Sequence, residues 1–209
     1  MKGLIVDFGG VLTTNVFDSF KAFCRAEGLP DDTVKQIFRD REGPGLALLR
    51  RLEKGELTAD EFSEQFAPIL GVSSENLVER LFGGVGPDEP MLEAVRRAKA
   101  AGIKTGLISN SWGNGLAYDP ALLEELFDAV VISGEVGLHK PEPEIFHLGA
   151  ERIGVAPADC VFVDDLRENC EGAEAVGMKA ILHRGSEGTL PQLEELLGVP
   201  LSGSAEARA

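Results

Sequence analysis

Five polar residues in this sequence have the types that covalent and metal-assisted chemistry requires. Asp7 follows a short apolar run and precedes two glycines, Ser109 ends a second apolar run, and Lys140 stands in a loop before a proline. Asp164 and Asp165 follow a third apolar run. A carboxylate can act as a nucleophile, and hard oxygen ligands hold divalent cations. The set therefore predicts a carboxylate nucleophile beside a hydroxyl, a lysine and a metal-binding acidic pair.

Taken singly, most of these residues have a simpler structural explanation. Asp7 could cap a turn, Ser109 could start one, and Lys140 could be a solvated loop cation. The pair Asp164 and Asp165 is harder to explain in this way, because adjacent carboxylates at the end of a buried strand repel each other and need a cation or a shared proton. Together with Asp7, the pair suits Mg²⁺, which takes one or two protein carboxylates and completes its shell with water and substrate phosphate.

The elements that would position these residues alternate regularly along most of the chain. Short apolar runs separated by amphipathic helical patterns predict a doubly wound α/β fold with a parallel sheet covered on both faces. The carboxyl ends of parallel strands meet at one edge of the sheet, where α/β proteins bind their ligands. We therefore expect the polar residues to gather there. The predicted strands are residues 4–6, 103–108, 129–132, 160–163 and 179–182.

One long segment breaks this alternation. Residues 15–84 carry only helical periodicity, including a capping-box spacing at Thr58 and Glu61, and they show no convincing strand. A block of helices inside an alternating chain predicts an inserted, small all-helical cap domain. The predicted domains are thus a core of residues 1–14 and 85–200, a cap of residues 15–84, and a disordered tail of residues 201–209. A predicted final helix covers residues 190–197.

Composition limits the classes of partner. The net charge of -15 argues against nucleic acid, because phosphate binding requires lysine and arginine to displace counterions. The N-terminus has no signal-peptide pattern, and its apolar run is too short to span a bilayer, so we expect a cytoplasmic protein without a membrane partner. The scattered Cys24, Cys160 and Cys170 predict reduced core thiols. The three histidines lack ligand spacing, and only His139, beside Lys140, invites closer inspection.

These residues and their order make the sequence resemble the haloacid dehalogenase-like hydrolases. Four motifs stand in the family's order: Asp7-Phe-Gly-Gly-Val, Ser109-Asn, Lys140-Pro, and Asp164-Asp after Val-Phe-Val. The resemblance covers nearly the whole chain, and the helical segment lies where the family's cap is inserted. Residues 162–169 and the following Gly-Met at 177–178 most resemble the phosphatase-type branch found as the N-terminal domain of soluble epoxide hydrolases.

The resemblance implies covalent catalysis. Asp7 would attack phosphorus and become an aspartyl phosphate, which water then hydrolyses. Ser109, together with the backbone of Asn110, would hold a phosphoryl oxygen. Lys140 would neutralise charge on the phosphoryl group and orient the carboxylates.

It also implies a Mg²⁺ site. Asp7, the Gly9 carbonyl and Asp165 would be direct ligands. Asp164 would either reach the metal through water or pair with Lys140, and both alternatives stay open at this stage.

One position departs from the family pattern. The family's phosphatases usually carry a second aspartate two residues after the nucleophile, as general acid and then base, whereas this chain has Gly9. Since a positioned acid/base contributes about 10² to 10⁴-fold, its loss predicts slow turnover unless it is replaced. Asp18, Asp40 and Glu42 in the predicted cap are candidates. Alternatively, the substrate has a good leaving group, such as an anomeric or acyl phosphate.

Three functions follow from these observations. The first is a Mg²⁺-dependent phosphatase acting on a small phosphate ester. The second is a 2-haloacid dehalogenase, which needs no general acid at Gly9 but leaves the Asp164–Asp165 pair unexplained. The third is a non-catalytic domain that binds a phosphorylated ligand, although such a domain has little use for so many buried charges. The predicted cap and the loop at residues 112–118 would select the substrate.

Overall fold

The protein is described here by a computed structural model, and the structure describes residues 1–112 and 118–202. Five parallel strands form one sheet in the order β3-β2-β1-β4-β5. This order places the first strand in the centre and confirms the predicted α/β fold with a doubly wound parallel sheet. The strands are β1 (Gly3–Val6), β2 (Lys104–Ser109), β3 (Ala129–Ile132), β4 (Cys160–Asp164) and β5 (Lys179–Leu182).

The register brings the carboxyl ends of the three central strands together. Val6, the last residue of β1, pairs with Leu107 of β2 and with Val163 of β4. The residues that follow these three positions therefore lie side by side at one edge of the sheet. Side chains alternate between the two faces of a strand, so Leu4 and Ile5 pack into different apolar clusters.

Five consecutive helices follow β1. They share an apolar cluster of their own, to which Phe20, Phe62 and Phe66 contribute buried rings. Thr58 and Glu61 form the capping box that their spacing predicts. The division into a cap with boundaries at residues 15 and 84 stays a prediction. The helices are α1 (Val16–Ala26), α2 (Thr33–Arg39), α3 (Pro44–Glu53), α4 (Ala59–Leu70) and α5 (Leu77–Phe82).

The chain leaves and re-enters the sheet region through two adjacent segments. Thr13 forms an antiparallel bridge with Pro87. On either side of it, the N–H of Thr14 donates to the Gly86 carbonyl at 2.7 Å, and the N–H of Asp88 donates to the Leu12 carbonyl at 2.9 Å. The five helices are thus joined to the sheet through two short segments that hydrogen-bond to each other.

The remaining helices cover the two faces of the sheet. One face of the sheet packs against the helices at Glu89–Ala100 and Ser186–Leu197. The other face packs against the helices at Pro143–Ile153 and Arg167–Ala175, which precede and follow β4. A single turn of helix directly after β3 has no counterpart in the predicted elements. These helices are α6 (Glu89–Ala100), α7 (Pro120–Leu126), α8 (Ser133–Val136), α9 (Pro143–Ile153), α10 (Arg167–Ala175) and α11 (Ser186–Leu197), with a 3₁₀ turn at Pro157–Asp159.

Two predicted boundaries near the C-terminus are wrong. Helix α11 begins at Ser186, four residues before its predicted start, because its first turn is polar and carries no apolar periodicity. The predicted disordered tail begins too early, since Leu201 is buried and the N–H groups of Leu201 and Ser202 both donate to Glu194 Oε1 at 2.7 Å. Residues 203–209 of that predicted tail lie outside the described residues.

In the part of the chain that the structure describes, no helix combines the length and apolarity that crossing a bilayer would require. The three cysteines are unpaired and buried, as their spacing predicts.

Candidate active site

Asp7 is fixed at the carboxyl end of the central strand. Its N–H donates to the Val163 carbonyl at 2.9 Å, which extends the pairing of β1 with β4 by one residue. The chain then turns at Gly10, whose φ is +76° and whose N–H donates to Thr13 Oγ1 at 2.9 Å. A Cβ at Gly10 would lie 2.6 Å from Asp165 Oδ2. Glycine is therefore required here both for the backbone conformation and for the close approach of the Asp165 carboxylate.

Lys140 lies buried between two of the predicted site carboxylates. Its side chain is 1% exposed, and its Nζ lies 2.8 Å from Asp7 Oδ1 and 2.7 Å from Asp164 Oδ2. Burial by itself lowers the pKa of Lys140, but the charges of Asp164 and Asp7 outweigh it and raise the pKa above its ordinary value. The lysine therefore stays charged and holds both carboxylates in place.

Asn110 holds the backbone at Lys140. The N–H of Lys140 donates to Asn110 Oδ1 at 2.9 Å, and Asn110 Nδ2 donates to the Lys140 carbonyl at 3.3 Å. The asparagine that follows β2 thus fixes the loop that carries the lysine. The sequence predicts a role only for the Asn110 backbone, whereas the structure shows that the Asn110 side chain holds the Lys140 backbone.

Asp164 has hydrogen-bond partners on both carboxylate oxygens. Oδ1 accepts from the N–H of Leu166 at 2.8 Å and from Asn169 Nδ2 at 3.0 Å. Oδ2 accepts from Lys140 at 2.7 Å and from Asn169 Nδ2 at 3.1 Å. Of the two arrangements left open by the sequence, the structure contains the pairing of Asp164 with Lys140. Asn169 lies within the motif at residues 162–169. Its hydrogen bonds to Asp164 depend on the geometry of α10 and could not be read from the sequence.

Asp165 completes an acidic cluster with the two buried aspartates. One carboxylate oxygen from each of Asp7, Asp164 and Asp165 lies within 4.8 Å of the others. When all three carboxylates are ionised, the Lys140 ammonium balances one of their charges and leaves two negative charges. This charge and these hard oxygen donors fit a divalent cation such as Mg²⁺.

The same crowding shifts the pKa values of two of the carboxyls. Burial raises the pKa of Asp7 to about 7, with Lys140 opposing the shift and the charges of Asp164 and Asp165 adding to it. Burial also raises the pKa of Asp165 to about 6, and Asp164 adds to this shift. A cation placed among these groups would favour their ionised forms and reverse both shifts.

Ser109 lies at the end of the neighbouring strand β2 and is almost completely buried. Its Oγ lies 2.9 Å from the hydroxyl oxygen of Tyr118. The Tyr118 ring packs edge-on against Phe8, the residue after Asp7, with ring centroids 4.9 Å apart. Tyr118 is the chain's one tyrosine and ends the loop predicted to select the substrate, but nothing in its spacing pointed to Ser109. Residues 113–117 of that loop lie outside the described residues.

A family model of haloacid dehalogenase-like hydrolases matches residues 1–177 and so includes every residue of this site. The chain belongs to the haloacid dehalogenase-like (HAD-like) hydrolases. This membership confirms the resemblance carried by the four motifs and shows that the protein is of a hydrolase family.

Relatives of this HAD-like hydrolase include phosphatases. Bifunctional epoxide hydrolase 2 of Sus scrofa is 33% identical over 223 residues, which are 96% of this chain and 40% of that protein. Phosphorylated carbohydrates phosphatase of Thermotoga maritima is 27% identical over 189 residues, which are 87% of this chain and 84% of that protein. The chain spans only 19% to 40% of the length of the first curated relatives.

Solved structures share the fold of this HAD-like hydrolase. A HAD family enzyme of Bacteroides thetaiotaomicron, solved in complex with magnesium and inorganic phosphate, superimposes with a TM-score of 0.66 at 24% identity. The match covers 87% of this chain and 93% of that one. At this level of identity the likeness supports the fold alone.

Gly9 of this HAD-like hydrolase faces the first helix of the helical segment. A Cβ at Gly9 would lie 3.3 Å from Val16 Cγ2, which is tighter than an ordinary van der Waals contact. Val16 is the first residue of α1. An apolar side chain therefore lies against the position, two residues after Asp7, where the family resemblance predicts an acid/base aspartate.

The three candidate replacements for that aspartate, Asp18, Asp40 and Glu42, are exposed residues of the helical segment. Asp18 pairs with Lys21 at 2.9 Å. Asp40 Oδ1 accepts a hydrogen bond from the N–H of Glu42 at 3.2 Å. These contacts are local and do not involve Asp7. The structure therefore gives no support to any of the three as the missing acid/base.

A second contact joins the helical segment to the loop that carries Lys140. His139 Nε2 lies 2.6 Å from Glu53 Oε2, and both side chains are nearly buried. Ser133 Oγ donates to the carbonyl of the same Glu53. The end of α3 therefore packs directly beside the lysine loop, and His139, which the sequence left without a role, contributes to this junction.

Proposed function

We propose that the protein is a Mg²⁺-dependent phosphatase that hydrolyses a small phosphorylated metabolite through an aspartyl-phosphate intermediate. The observation that carries this proposal is the buried cluster in which Lys140 Nζ lies 2.8 Å from Asp7 Oδ1 and 2.7 Å from Asp164 Oδ2, with Asp165 beside it. Relatives named as phosphatases support the same reaction class.

In the first step Asp7 is the nucleophile. An Asp7 carboxylate oxygen forms a bond to phosphorus while the ester P–O bond breaks, and the leaving oxygen takes a proton from water. Lys140 orients the Asp7 carboxylate and keeps it from turning away. The Ser109 hydroxyl donates to a phosphoryl oxygen. In the second step water attacks phosphorus, inorganic phosphate leaves, and the Asp7 carboxylate is restored.

The donor set of this chain fits Mg²⁺. Asp7, Asp165 and the Gly9 carbonyl would hold the ion, while Asp164 is already occupied by Lys140 and Asn169 and would act through water. The bound ion would supply positive charge to offset the phosphoryl oxygens and the carboxylates. One HAD family enzyme with this fold was solved in complex with magnesium and inorganic phosphate.

Gly9 leads us to propose a substrate with a good leaving group. With Val16 against this position and no acid in the family's place, a poor leaving alcohol would depart about 10² to 10⁴ times more slowly than in a phosphatase with the acid. Anomeric and acyl phosphates need less protonation and would be turned over faster.

The proposal is tested by measuring phosphate release from a panel of phosphate esters with and without Mg²⁺. We expect Mg²⁺-dependent turnover that Asp7→Asn lowers by about 10³-fold or more. Asp60→Asn, in the exposed first turn of α4, is the matched control and should leave turnover unchanged. Metal-independent turnover, or turnover that survives Asp7→Asn, contradicts the mechanism.

The same panel separates the alternative functions. Halide release from a 2-haloacid, without a metal requirement, would support dehalogenation. Tight binding of phosphate esters without any turnover would support a non-catalytic domain that binds a phosphorylated ligand.

A further inference from the structure

The hydroxyl of Tyr118 occupies a defined place beside the proposed phosphoryl site. It lies 2.9 Å from Ser109 Oγ, and Ser109 is 1% exposed at the end of β2. Val6 pairs with Leu107 in the sheet, so the ends of β1 and β2, which carry Asp7 and Ser109, are neighbours.

The Tyr118 ring is held on the other side by the residue next to the nucleophile. Its centroid lies 4.9 Å from that of Phe8, with the rings at 65° to each other, which is a favourable edge-to-face arrangement. The tyrosine also packs against the apolar cluster on one face of the sheet. Packing of the ring against Phe8 and this cluster therefore fixes the position of the Tyr118 hydroxyl.

Either hydroxyl could donate in this hydrogen bond, and the Tyr118 hydroxyl is able to do so. Burial raises the pKa of Tyr118 to about 12, so this hydroxyl keeps its proton and can donate. The other contact of Ser109 Oγ, to the Asn110 carbonyl, is long at 3.5 Å and binds the serine proton weakly. A serine that accepts from tyrosine has its own proton free for a third group.

We propose that Tyr118 is a positioning residue that donates to Ser109 Oγ and thereby directs the Ser109 proton toward a phosphoryl oxygen of the substrate. This inference rests on the proposed phosphatase function and adds to it a residue outside the four motifs. The two hydroxyls form a chain of hydrogen-bond donors, and no proton is transferred between them. Tyr118 fixes the orientation of the Ser109 hydroxyl, and Ser109 makes the contact with phosphate.

A double-mutant cycle on ligand binding tests the relay. Inorganic phosphate is titrated calorimetrically, in Mg²⁺ buffer, into the wild type, Tyr118→Phe, Ser109→Ala and the double variant. Losing one such hydrogen bond is expected to weaken phosphate binding by about 3- to 10-fold in each single variant. The double variant should bind no more weakly than Ser109→Ala, because Tyr118 acts only through the serine.

The kinetics give a second readout that a purely structural role would not change. Tyr118→Phe keeps the ring, so its unfolding free energy should change little while kcat/KM for phosphate release falls by about 3- to 10-fold. Thr105→Val is the matched control, because it removes another buried hydroxyl of β2, one that donates to the Leu126 carbonyl outside the site. It should lower stability and leave phosphate binding as in the wild type.

The outcomes are distinguishable. Phosphate that binds the wild type but binds Tyr118→Phe equally well, or losses that multiply in the double variant, overturn the relay and leave the phosphatase proposal standing. A wild type that neither binds phosphate nor releases it from esters overturns both.

Discussion

The charged cluster at the sheet edge and the aromatic cluster of the helical segment are built in different ways. In the first, a few ionic contacts of 2.7 to 2.8 Å hold Asp7, Lys140 and Asp164 at the ends of strands whose positions the sheet register fixes. In the second, rings such as Phe20, from helices distant in sequence, pack against one another without ionic contacts among them. We propose that the first arrangement serves chemistry, and we expect it to tolerate substitution less well than the second.

Trp112 links the two regions. It stands three residues after Ser109, yet its indole packs among rings of the helical segment, with centroids 4.7 Å from Phe82, 5.7 Å from Phe38 and 5.8 Å from Phe20. The last residue of β2 therefore places a hydroxyl near the charged site, and the loop after β2 contributes a ring to the aromatic cluster. Because the two regions are held by different kinds of contact, we expect that substitutions can disturb the proposed catalysis and the packing of the helices separately.

The largest effect is expected from Lys140→Met. Removing the ammonium leaves Asp7 and Asp164 buried without their shared partner, which costs about 3–5 kcal/mol for a broken buried ion pair. Phosphate release should become undetectable at the same time, because Asp7 loses its orientation. Urea unfolding and the phosphate-release assay measure the two losses.

Lys54→Met is the control for Lys140→Met. Lys54 also pairs with a carboxylate, Glu142, but the pair is partly exposed, so its loss should cost about 0–1 kcal/mol. Equal destabilisation by the two substitutions would contradict the contrast between a buried, site-forming lysine and a surface one.

Trp112→Ala tests the aromatic side of the comparison. Truncation of a buried aromatic ring costs about 3–5 kcal/mol, and for the half-buried Trp112 we expect about 2–3 kcal/mol. Phosphate affinity in Mg²⁺ buffer should stay within about twofold of the wild type, because the charged cluster is unchanged. Ile69→Ala, at an exposed position of α4, is the control and should stay within about 0.5–1 kcal/mol. Loss of phosphate affinity in parallel with stability would show that the two regions are coupled.

The two adjacent aspartates should separate metal binding from stability. Asp165→Asn is expected to weaken Mg²⁺ binding by at least about tenfold with little loss of stability, since Asp165 is half-buried beside Gly10. Asp164→Asn should instead destabilise the protein, because it disrupts the contacts with Lys140 and Asn169. Calorimetric Mg²⁺ titration and urea unfolding distinguish them; the reverse pattern would exchange their proposed roles.

Mg²⁺ affinity should also rise with pH. Burial raises the pKa of Asp7 to about 7 and that of Asp165 to about 6, so in acid the ion must displace protons to bind. The apparent affinity is therefore expected to increase as pH rises from about 5.5 to about 8, with proton release detectable in buffers of different ionisation enthalpy. An affinity independent of pH over this range would mean that the carboxyls are already ionised without the metal.

The charged site could largely be predicted from the sequence, and the reason is geometric. Asp7, Ser109 and the acidic pair each follow a short apolar run, and parallel strands end at one edge, so order along the chain is enough to bring them together. Lys140 is predicted at the same edge because its loop follows β3, but its contacts with Asp7 and Asp164 depend on how that loop packs. Their chemical roles stay predictions until they are measured.

The remaining features depend on packing, which order along the chain does not specify. Tyr118 reaches Ser109 across a nine-residue separation, and its place depends on the ring of Phe8. Asn169 reaches Asp164 because of the way α10 starts. The contacts of Trp112 join helices that no sequence period relates. In each case the partner is set by how elements pack, not by what stands next in the chain.

The smallest effect, and the one that bears most on substrate choice, concerns Gly9. Its backbone lies outside the left-handed region, so an aspartate there is restricted mainly by Val16, whose Cγ2 would lie 3.3 Å from the new Cβ. Gly9→Asp combined with Val16→Ala relieves this contact and restores an acid at the family's position. We expect kcat/KM for an alkyl phosphate to rise by about 3- to 10-fold relative to that for p-nitrophenyl phosphate, well below the full contribution of an evolved acid.

Gly9→Asn with Val16→Ala is the matched control, because it has the same shape without a transferable proton. If the asparagine variant gives the same gain, or if the aspartate variant speeds both substrates equally, Gly9 does not mark a missing acid. A gain confined to the aspartate variant and the alkyl phosphate would mean that the apolar contact between Gly9 and α1, rather than the charged cluster, limits which leaving groups this site can release. That result would place substrate selection at the boundary between the two regions, where the side chain of Val16 lies against the residue two positions after Asp7.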